Sequence, residues 1–325
     1  MAKLNILVSA VGGDLGQSVV KCLRDSSYHP HISGCDMNPF AGGRADVDEF
    51  FPAPPVKDEQ QYMDFLLRII KEKRINYVFL MADAEIIFFN ENRESFRETN
   101  AVFVVSEKHI IDTFMDKYKT AVFFKEKGML YPQTWMPSQY DNRLGFPLIL
   151  KKRRGSGSQG LFKVNDAEEL QFYLKRYNDM IVQEYLPGED NEYTAALFKH
   201  GETIYTITFK RTLAPGGFSQ QVELVTGGST DKFPKELAGQ LDFQGSINVQ
   251  FRCPDHGCVP FEINPRFSST VYFRHRFGFK DVLWSLDVYE GKGVAYTPLY
   301  NAGIGVKKFS EAFFDMQKKS KKETT

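Results

Sequence analysis

Long apolar runs are missing from these 325 residues. A membrane-crossing helix needs about 20 consecutive apolar residues, so none is expected. Met1-Ala2-Lys3 leads straight into the strand-like Leu4 to Ala10, without the charged opening, apolar middle and small-residue cleavage site of a leader peptide. A cytoplasmic protein is therefore expected. An excess of one charge sign is also lacking: 41 basic and 41 acidic residues cancel, so no global field draws the chain to nucleic acid or anionic lipid. Cysteine is scarce. The four thiols at 22, 35, 253 and 258 are too few and too scattered for a disulfide framework. Cys253 and Cys258 bracket a turn with His256 between them, but a structural zinc takes four ligands and no second pair is in sight. They are expected to be ordinary hairpin residues.

What the chain does have is alternation. Leu4 to Ala10, Ile32 to Cys35, Tyr77 to Leu80 and Val102 to Val105 read as short buried strands. Between them lie helical stretches at 17–23, 60–73 and 85–97. That pattern predicts a parallel sheet covered on both faces, and the chain length allows two or three domains. After the first strand comes VGGDLG. Gly13 and Gly16 fit the second and third glycines of a dinucleotide fingerprint, with Asp36 where its ribose-binding acid stands. Val11 replaces the first glycine, so nicotinamide binding and a plain strand-to-helix turn both stay open. Asp83 and Glu85 follow a strand's carboxyl end, where open sheets bind ligands, and each either meets substrate or caps a helix.

The most informative stretch is later. Ile247 to Phe251 and Val259 to Ile263 flank Pro254-Asp255-His256-Gly257, predicting a β-hairpin. Its second strand carries Glu262, Asn264 and Arg266 at alternate positions, which share a face, and Gln250 joins them if the register allows. A carboxylate, an amide carbonyl and a guanidinium suit a magnesium-bound triphosphate: hard oxygens for the cation, a fixed positive charge for phosphate. Pro265 should end the strand.

Between these regions, Asp116 is placed to open a helix containing Lys117. The strand Phe146 to Leu150 runs into Lys151-Lys152-Arg153-Arg154 and then Gly155-Ser156-Gly157-Ser158-Gln159-Gly160. Such a basic, glycine-rich loop is either a phosphate loop or a flexible turn. It is no Walker loop, because no Gly-Lys-Ser/Thr closes it. MIVQEYL then ends at Pro187-Gly188. Arg274 and His275 lie on a helix predicted over 268–277, where they face either substrate or solvent, ahead of another over 280–289. Residues 316–325 have no apolar period and are expected to be disordered.

Taken together, Gln250 followed by E-x-N-x-R, the D-K before a helix and G-x-x-x-P-x-T, and the glycine-rich loop resemble the ATP-grasp family, most closely the carbamoyl-phosphate-synthase large-subunit type. The resemblance covers residues 4–293 and implies mixed α/β and α+β architecture. Its parts would be a Rossmann-like pre-ATP-grasp domain over 1–112, a small lid subdomain over 113–186, a carboxyl-terminal subdomain with the metal site over 187–306, and a basic tail over 307–325. It implies phosphate contacts from Lys117 and Lys151 and a mobile lid of Gly155, Ser156, Gly157, Ser158 and Gly160. Glu184, Tyr185 and Leu186 would form the adenine hinge, and Glu192 would contact ribose. Gln250, Glu262 and Asn264 would hold Mg²⁺ or Mn²⁺, while Arg266, with Lys151 and Arg211, would serve catalysis; Lys210 is the alternative to Arg211. The implied activity is an ADP-forming ligase that joins a carboxylate, activated as an acyl phosphate, to an amine or ammonia, with a homodimer as the implied assembly. A nicotinamide-dependent oxidoreductase and a catalytically silent nucleotide-binding regulator are the rival expectations.

Overall fold

The structure is a computed structural model describing residues 3–155, 157, 160–188 and 191–314. Its first sheet contains β1 (Asn5–Val8), β2 (His31–Asp36), β3 (Glu49–Pro52), β4 (Tyr77–Phe79) and β5 (Val102–Phe103). All pairs are parallel, in the order β3-β2-β1-β4-β5. β1 is continuous apolar sequence because it is covered on both faces. On one side α1 (Asp14–Arg24) packs with α8 (Val271–Arg276) and α9 (Asp281–Tyr289); on the other lie α2 (Glu59–Glu72) and α3 (Asp83–Glu91). Val271, Val282 and Leu286, from the far end of the chain, are thus core residues of the first sheet.

The sequence missed β3, a four-residue edge strand ended by Pro52, because so short an edge shows no period of its own. α1 begins at Asp14 rather than Gln17: Gly13 takes the cap position with extended backbone, and the Asp14 carboxylate suits the positive end of the helix. The helix expected over 85–97 splits after Glu91, continuing as a single 3₁₀ turn over Arg93–Phe96.

After α4 (Lys108–Phe114) and α5 (Lys117–Glu126), a four-stranded antiparallel sheet is ordered β6-β9-β7-β8. Its strands are β6 (Thr134–Trp135), β7 (Leu148–Lys152), β8 (Leu161–Val164) and β9 (Met180–Glu184), with α6 (Ala167–Arg176) packed on it. The third sheet is antiparallel, ordered β14-β13-β10-β11-β12-β15. It comprises β10 (Glu192–His200), β11 (Thr203–Leu213), β12 (Ser219–Val225), β13 (Gly245–Arg252), β14 (Val259–Asn264) and β15 (Ile304–Val306), with α7 (Gly228–Gln240) against one face. β14 stops at Asn264, immediately before Pro265, since proline has no N–H for the ladder.

At the tip of the β13–β14 hairpin Cys253 and Cys258 are joined as a disulfide, whereas Cys22 and Cys35 are buried thiols. The expectation of two ordinary hairpin residues is corrected here: antiparallel pairing brings their Cα atoms to 4.0 Å. Past β15, the Lys307 N–H donates to the Gln220 carbonyl at 2.8 Å and the chain can be followed to Phe314. The expected disordered segment, 316–325, lies outside the described residues.

Candidate nucleotide-binding site

Register builds the site. Glu192 pairs with Arg252, Thr194 with Gln250 and with Phe209, Gln250 with Glu262, and Asn248 with Asn264. Directly opposed side chains project from the same face, and so do alternate residues along each strand. One face of the third sheet therefore presents Glu192, Arg211, Gln250, Arg252, Glu262 and Asn264. Arg266 is different. Its N–H closes back on the Asn264 carbonyl at 2.8 Å, so it reaches the site from a turn beyond the strand and not, as the alternation suggested, from the strand itself. It is held there by Asp83, whose Oδ1 accepts from Nε at 2.5 Å. The next residues are also fixed. Arg274 is fully buried, paired in bidentate fashion with Asp281 at 3.0 and 2.6 Å, and donates to the Ser268 and Thr270 hydroxyls. His275, also buried, faces Asp25 at 3.5 Å. Neither of the two readings for Arg274 and His275, substrate contact or solvated face, holds: the guanidinium needs its buried carboxylate partner.

Glu192, Arg211, Gln250, Arg252, Glu262, Asn264 and Arg266 line a cavity of about 830 Å³ between the three sheets. From the second sheet come Lys151 and Glu184, and from just past β9 Tyr185 and Leu186; from the start of α5, Lys117; from the glycine-rich loop, Gly155 and Gly157. Gly155, Gly157 and Gly160 all have positive φ, which glycine adopts without the steric cost other residues meet. Gly160 is not on the cavity wall: its carbonyl accepts from the Lys152 N–H and it packs on the Lys152 side chain. Ser156 and Ser158 lie outside the described residues. Lys117 Nζ donates to the Gly155 carbonyl at 2.6 Å and stands 4.0 Å from Glu262.

Part of the basic run is structural. Asp116 caps α5 through the Tyr118 and Lys119 N–H groups while accepting from Arg153 at 2.7 Å, and Arg154 approaches the same carboxylate. Lys117 and Lys151 are the cations of this region whose charge acts on Glu262.

At the end of β9, the Glu184 N–H donates to the Gln133 carbonyl and its side chain accepts from the Gln133 N–H. Tyr185 stacks under Lys163 at 4.2 Å. The Leu186 carbonyl accepts from Arg252, a residue that carries no signal in the sequence, because its cross-strand position opposite Glu192 exists only once the register is known. Glu192 accepts from Arg211 and Arg252, and Arg211 also donates to the Gln250 amide oxygen at 2.7 Å. That oxygen is thus engaged by a guanidinium. Among the described residues no hydrogen bond engages the side chains of Glu262 and Asn264, so these two present oxygen donors to the cavity.

Charge is concentrated here. Burial alone would raise the Glu262 carboxyl, but Lys117, Lys151, Arg211 and Arg266 outweigh it and hold it below the usual range. Burial pulls the Lys151 ammonium down to about 8, with Glu262 opposing the fall and Lys117 adding to it. The phosphates of a bound nucleotide favour the ammonium form, so nucleotide binding above this pH takes up a proton. The Kd for Mg-ADP should be flat below pH about 8 and rise above it toward about tenfold per unit, and Lys151→Arg should flatten the profile in calorimetric titrations.

The amino-terminal sheet closes the other end. The order β3-β2-β1-β4-β5 reverses between β1 and β4, and at such a switch point ligands bind beyond the strands' carboxyl ends. Ala10, Gly13, Asp14 and Met81 to Asp83 line the cavity there. The glycines are explained without a dinucleotide. A Cβ on Gly16 would lie 2.4 Å from the Ala10 carbonyl, so Gly16 permits the close α1–β1 approach. Asp36 is folded onto its own turn, accepting from the Gly12 and Asn38 N–H groups. Glu85 is buried, accepting from Ser9, from Tyr62 at 2.9 Å and from the Ala82 N–H at 3.0 Å; of the two readings it takes the capping one.

The donor set at Glu262 and Asn264 suits a hard divalent cation completed by phosphate oxygens. Among the described residues no cluster of three or more His, Cys, Asp or Glu side chains could hold a metal by itself. No helix of the described residues is long and apolar enough to cross a membrane.

Comparison with known proteins agrees with this geometry. Residues 114–270 match the ATP-grasp domain model and residues 6–105 the PylC-like N-terminal domain model. The carbamoyl phosphate synthase large chain of Clostridium botulinum (strain Alaska E43 / Type E3) is 29% identical over 222 residues, covering 63% of this chain and 19% of that one. The chain thus spans about a fifth of the length of the curated relative it matches. Among solved structures, N5-carboxyaminoimidazole ribonucleotide synthetase from Thermus thermophilus aligns with a TM-score of 0.73 at 17% identity, over 93% of this chain and 82% of that one. L-amino acid ligase from Bacillus licheniformis gives 0.68 at 15%, over 87% and 73%. The biotin carboxylase domain of 2-oxoglutarate carboxylase from Hydrogenobacter thermophilus, solved with MgADP and bicarbonate, gives 0.70 at 15%, over 90% and 71%. At these identities the structures speak for the fold alone; by the two domain matches the chain carries a PylC-like N-terminal domain followed by an ATP-grasp domain.

Proposed function

We propose that this protein is an ADP-forming ligase that activates a small carboxylate as an acyl phosphate and joins it to an amine or ammonia. The observation that carries the reading is the convergence of Lys117, Lys151, Glu262, Asn264 and Arg266 on one cavity of about 830 Å³. The names of the relatives, carbamoyl phosphate synthase and L-amino acid ligase among them, support carbon–nitrogen bond formation. A carboxylate does not form an amide unaided, because hydroxide is a poor leaving group. Phosphoryl transfer to it creates a good one, and the transfer asks the protein mainly for positioning and charge neutralisation.

In this reading Glu184 to Leu186 receive the adenine. Lys117, Lys151 and the loop around Gly155 and Gly157 receive the phosphates, with Ser156 and Ser158 assigned to the same loop from sequence alone, and Gly160 shapes the loop's return. Glu192 supports the nucleotide end, tied in place by Arg211 and Arg252. Glu262 and Asn264 are the protein ligands of Mg²⁺; Gln250 joins them only if Arg211 releases its amide oxygen. Mg²⁺, when bound, would neutralise phosphate charge and align the transferring group. Arg266 faces the γ-phosphoryl group and then the acyl phosphate, and Arg211 sets the charge around Gln250 and Glu192. The substrate lies toward Ala10, Gly13 and Met81, where Asp14, paired with Lys307, and Asp83, paired with Arg266, also line the cavity. Closure of the glycine-rich loop would exclude water from the acyl phosphate. The domain division stays as proposed from sequence, with boundaries near 112, 186 and 306, and a homodimer is the proposed assembly.

The test is a screen of amino acids and sugar acids against amine acceptors, scored for ADP and phosphate. Release of both, dependent on both substrates, supports the reading; AMP and pyrophosphate would overturn it.

A further inference from the structure

A second cavity, of about 510 Å³, lies behind the first. The two share one wall. Leu80 closes the second and Met81 to Asp83 the first, while Arg266 lines both, with Asn264 on the first side and Pro265 and Phe267 on the second. Volumes of about 300–1,000 Å³ are those of small-molecule sites. Its apolar lining comes from Leu80, Phe103, Phe198 and Val288, contributed by the first sheet, the third sheet and α9.

Charged side chains also line it: Arg93 and Glu107, with Lys199, whose Nζ donates to the Leu241 carbonyl at 3.1 Å, Arg266, held by Asp83, and the exposed His200. Arg93 donates from Nε to the Asn90 amide at 3.0 Å and from Nη2 to the Ser106 carbonyl at 2.7 Å, both neutral partners. Burial pulls its guanidinium down, offset only in part by the Glu107 and Asp112 carboxylates. Glu107 accepts the Gln244 N–H on Oε1 at 3.0 Å, while its Oε2 is buried without a hydrogen-bond partner among the described residues. No ion pair joins Arg93 to Glu107 among the described residues. The buried, unpartnered Glu107 Oε2 is costly, and one ligand carrying both signs would satisfy it and the half-buried Arg93 with no net charge brought in. The same arginine is linked to the first cavity: it holds Ser106, whose hydroxyl donates to the Pro265 carbonyl at 2.9 Å, one residue from Arg266.

We propose that this second cavity is an effector site for a small zwitterion with an apolar side chain, an apolar α-amino acid, its carboxylate on Arg93, its ammonium on Glu107 Oε2 and its side chain against Phe103 and Phe198. Because Ser106 connects Arg93 to the segment bearing Arg266, occupancy alters nucleotide binding in the first cavity, and by linkage the effect is reciprocal.

The test is calorimetric titration of the whole chain with L-phenylalanine, alongside 3-phenylpropionate and 2-phenylethylamine, each of which carries one charge of the pair. The zwitterion should bind at least about tenfold more tightly than either analogue. Arg93→Met and Glu107→Gln should each weaken it at least about tenfold, and Val288→Trp, which fills the cavity and leaves every hydrogen bond in place, should abolish it. Saturating L-phenylalanine should shift the Kd of Mg-AMPPNP at least about threefold, a shift lost in Ser106→Ala. Absence of binding to the wild type at 10 mM (on the order of the weakest effector affinities) overturns the proposal. Binding untouched by all three substitutions does the same, since it places the ligand in the first cavity, and an unmoved Mg-AMPPNP affinity overturns the coupling.

Discussion

Replacing Arg266 with alanine is expected to cut ADP-releasing turnover by about 10³ to 10⁵, with Mg-AMPPNP affinity changed by no more than about threefold. The asymmetry follows from position. Lys117, Lys151 and the glycine-rich loop surround the place assigned to the triphosphate, whereas Arg266 stands at the junction with the amino-terminal sheet, oriented by Asp83 at 2.5 Å. Charge shifts onto the transferring group only as the reaction proceeds, so a guanidinium there acts on the transition state more than on the bound nucleotide. Arg266→Lys should recover little, because a point charge on a flexible stem cannot hold Asp83 and an oxyanion at once. Parallel turnover and calorimetric measurements check this. An equal loss of affinity and turnover would make Arg266 a nucleotide ligand instead.

The second large effect is expected at Glu262. Glu262→Gln keeps the shape and one oxygen donor but removes the negative charge, and metal-dependent nucleotide affinity should fall at least about 100-fold, the upper end of what losing an outer-shell partner costs a metal site. A secondary effect identifies the cause. Glu262 opposes the fall of the Lys151 ammonium, which in the intact site sits at about 8. Without that carboxylate Lys151 should titrate lower, moving the pH at which affinity declines below 8. Measuring Kd against pH at fixed free Mg²⁺ checks both, and an unshifted profile would disconnect the two residues.

Much of this site was legible in the sequence because it rests on local regularities. Alternation put Glu262 and Asn264 on one face, Pro265 marked the strand's end, and Asp116 announced the start of α5. The dinucleotide alternative was legible for an equally local reason: Gly16 is needed wherever a helix packs closely on a strand, and Asp36 is needed to hold the Gly12 turn. What was hidden depends on contacts between distant segments. Arg252 joins the site only through the pairing of β10 with β13, and Arg266 is aimed by Asp83, far earlier in the chain. The burial of Arg274 on Asp281 makes a helix face that looks solvated into the support beneath Arg266. The disulfide required the hairpin's register before its two cysteines could be seen as neighbours.

The late β-hairpin and the cations around it are proposed to form a metal-dependent nucleotide site. Calorimetric titration of the wild-type chain with AMPPNP, with and without Mg²⁺, and with NADH and NADPH tests it most directly. One AMPPNP site per chain is expected, one that requires Mg²⁺, is weakened in Glu262→Gln, and is not competed by either dinucleotide. Binding of NADH or NADPH in place of AMPPNP, or AMPPNP binding indifferent to both Mg²⁺ and Glu262, would contradict it.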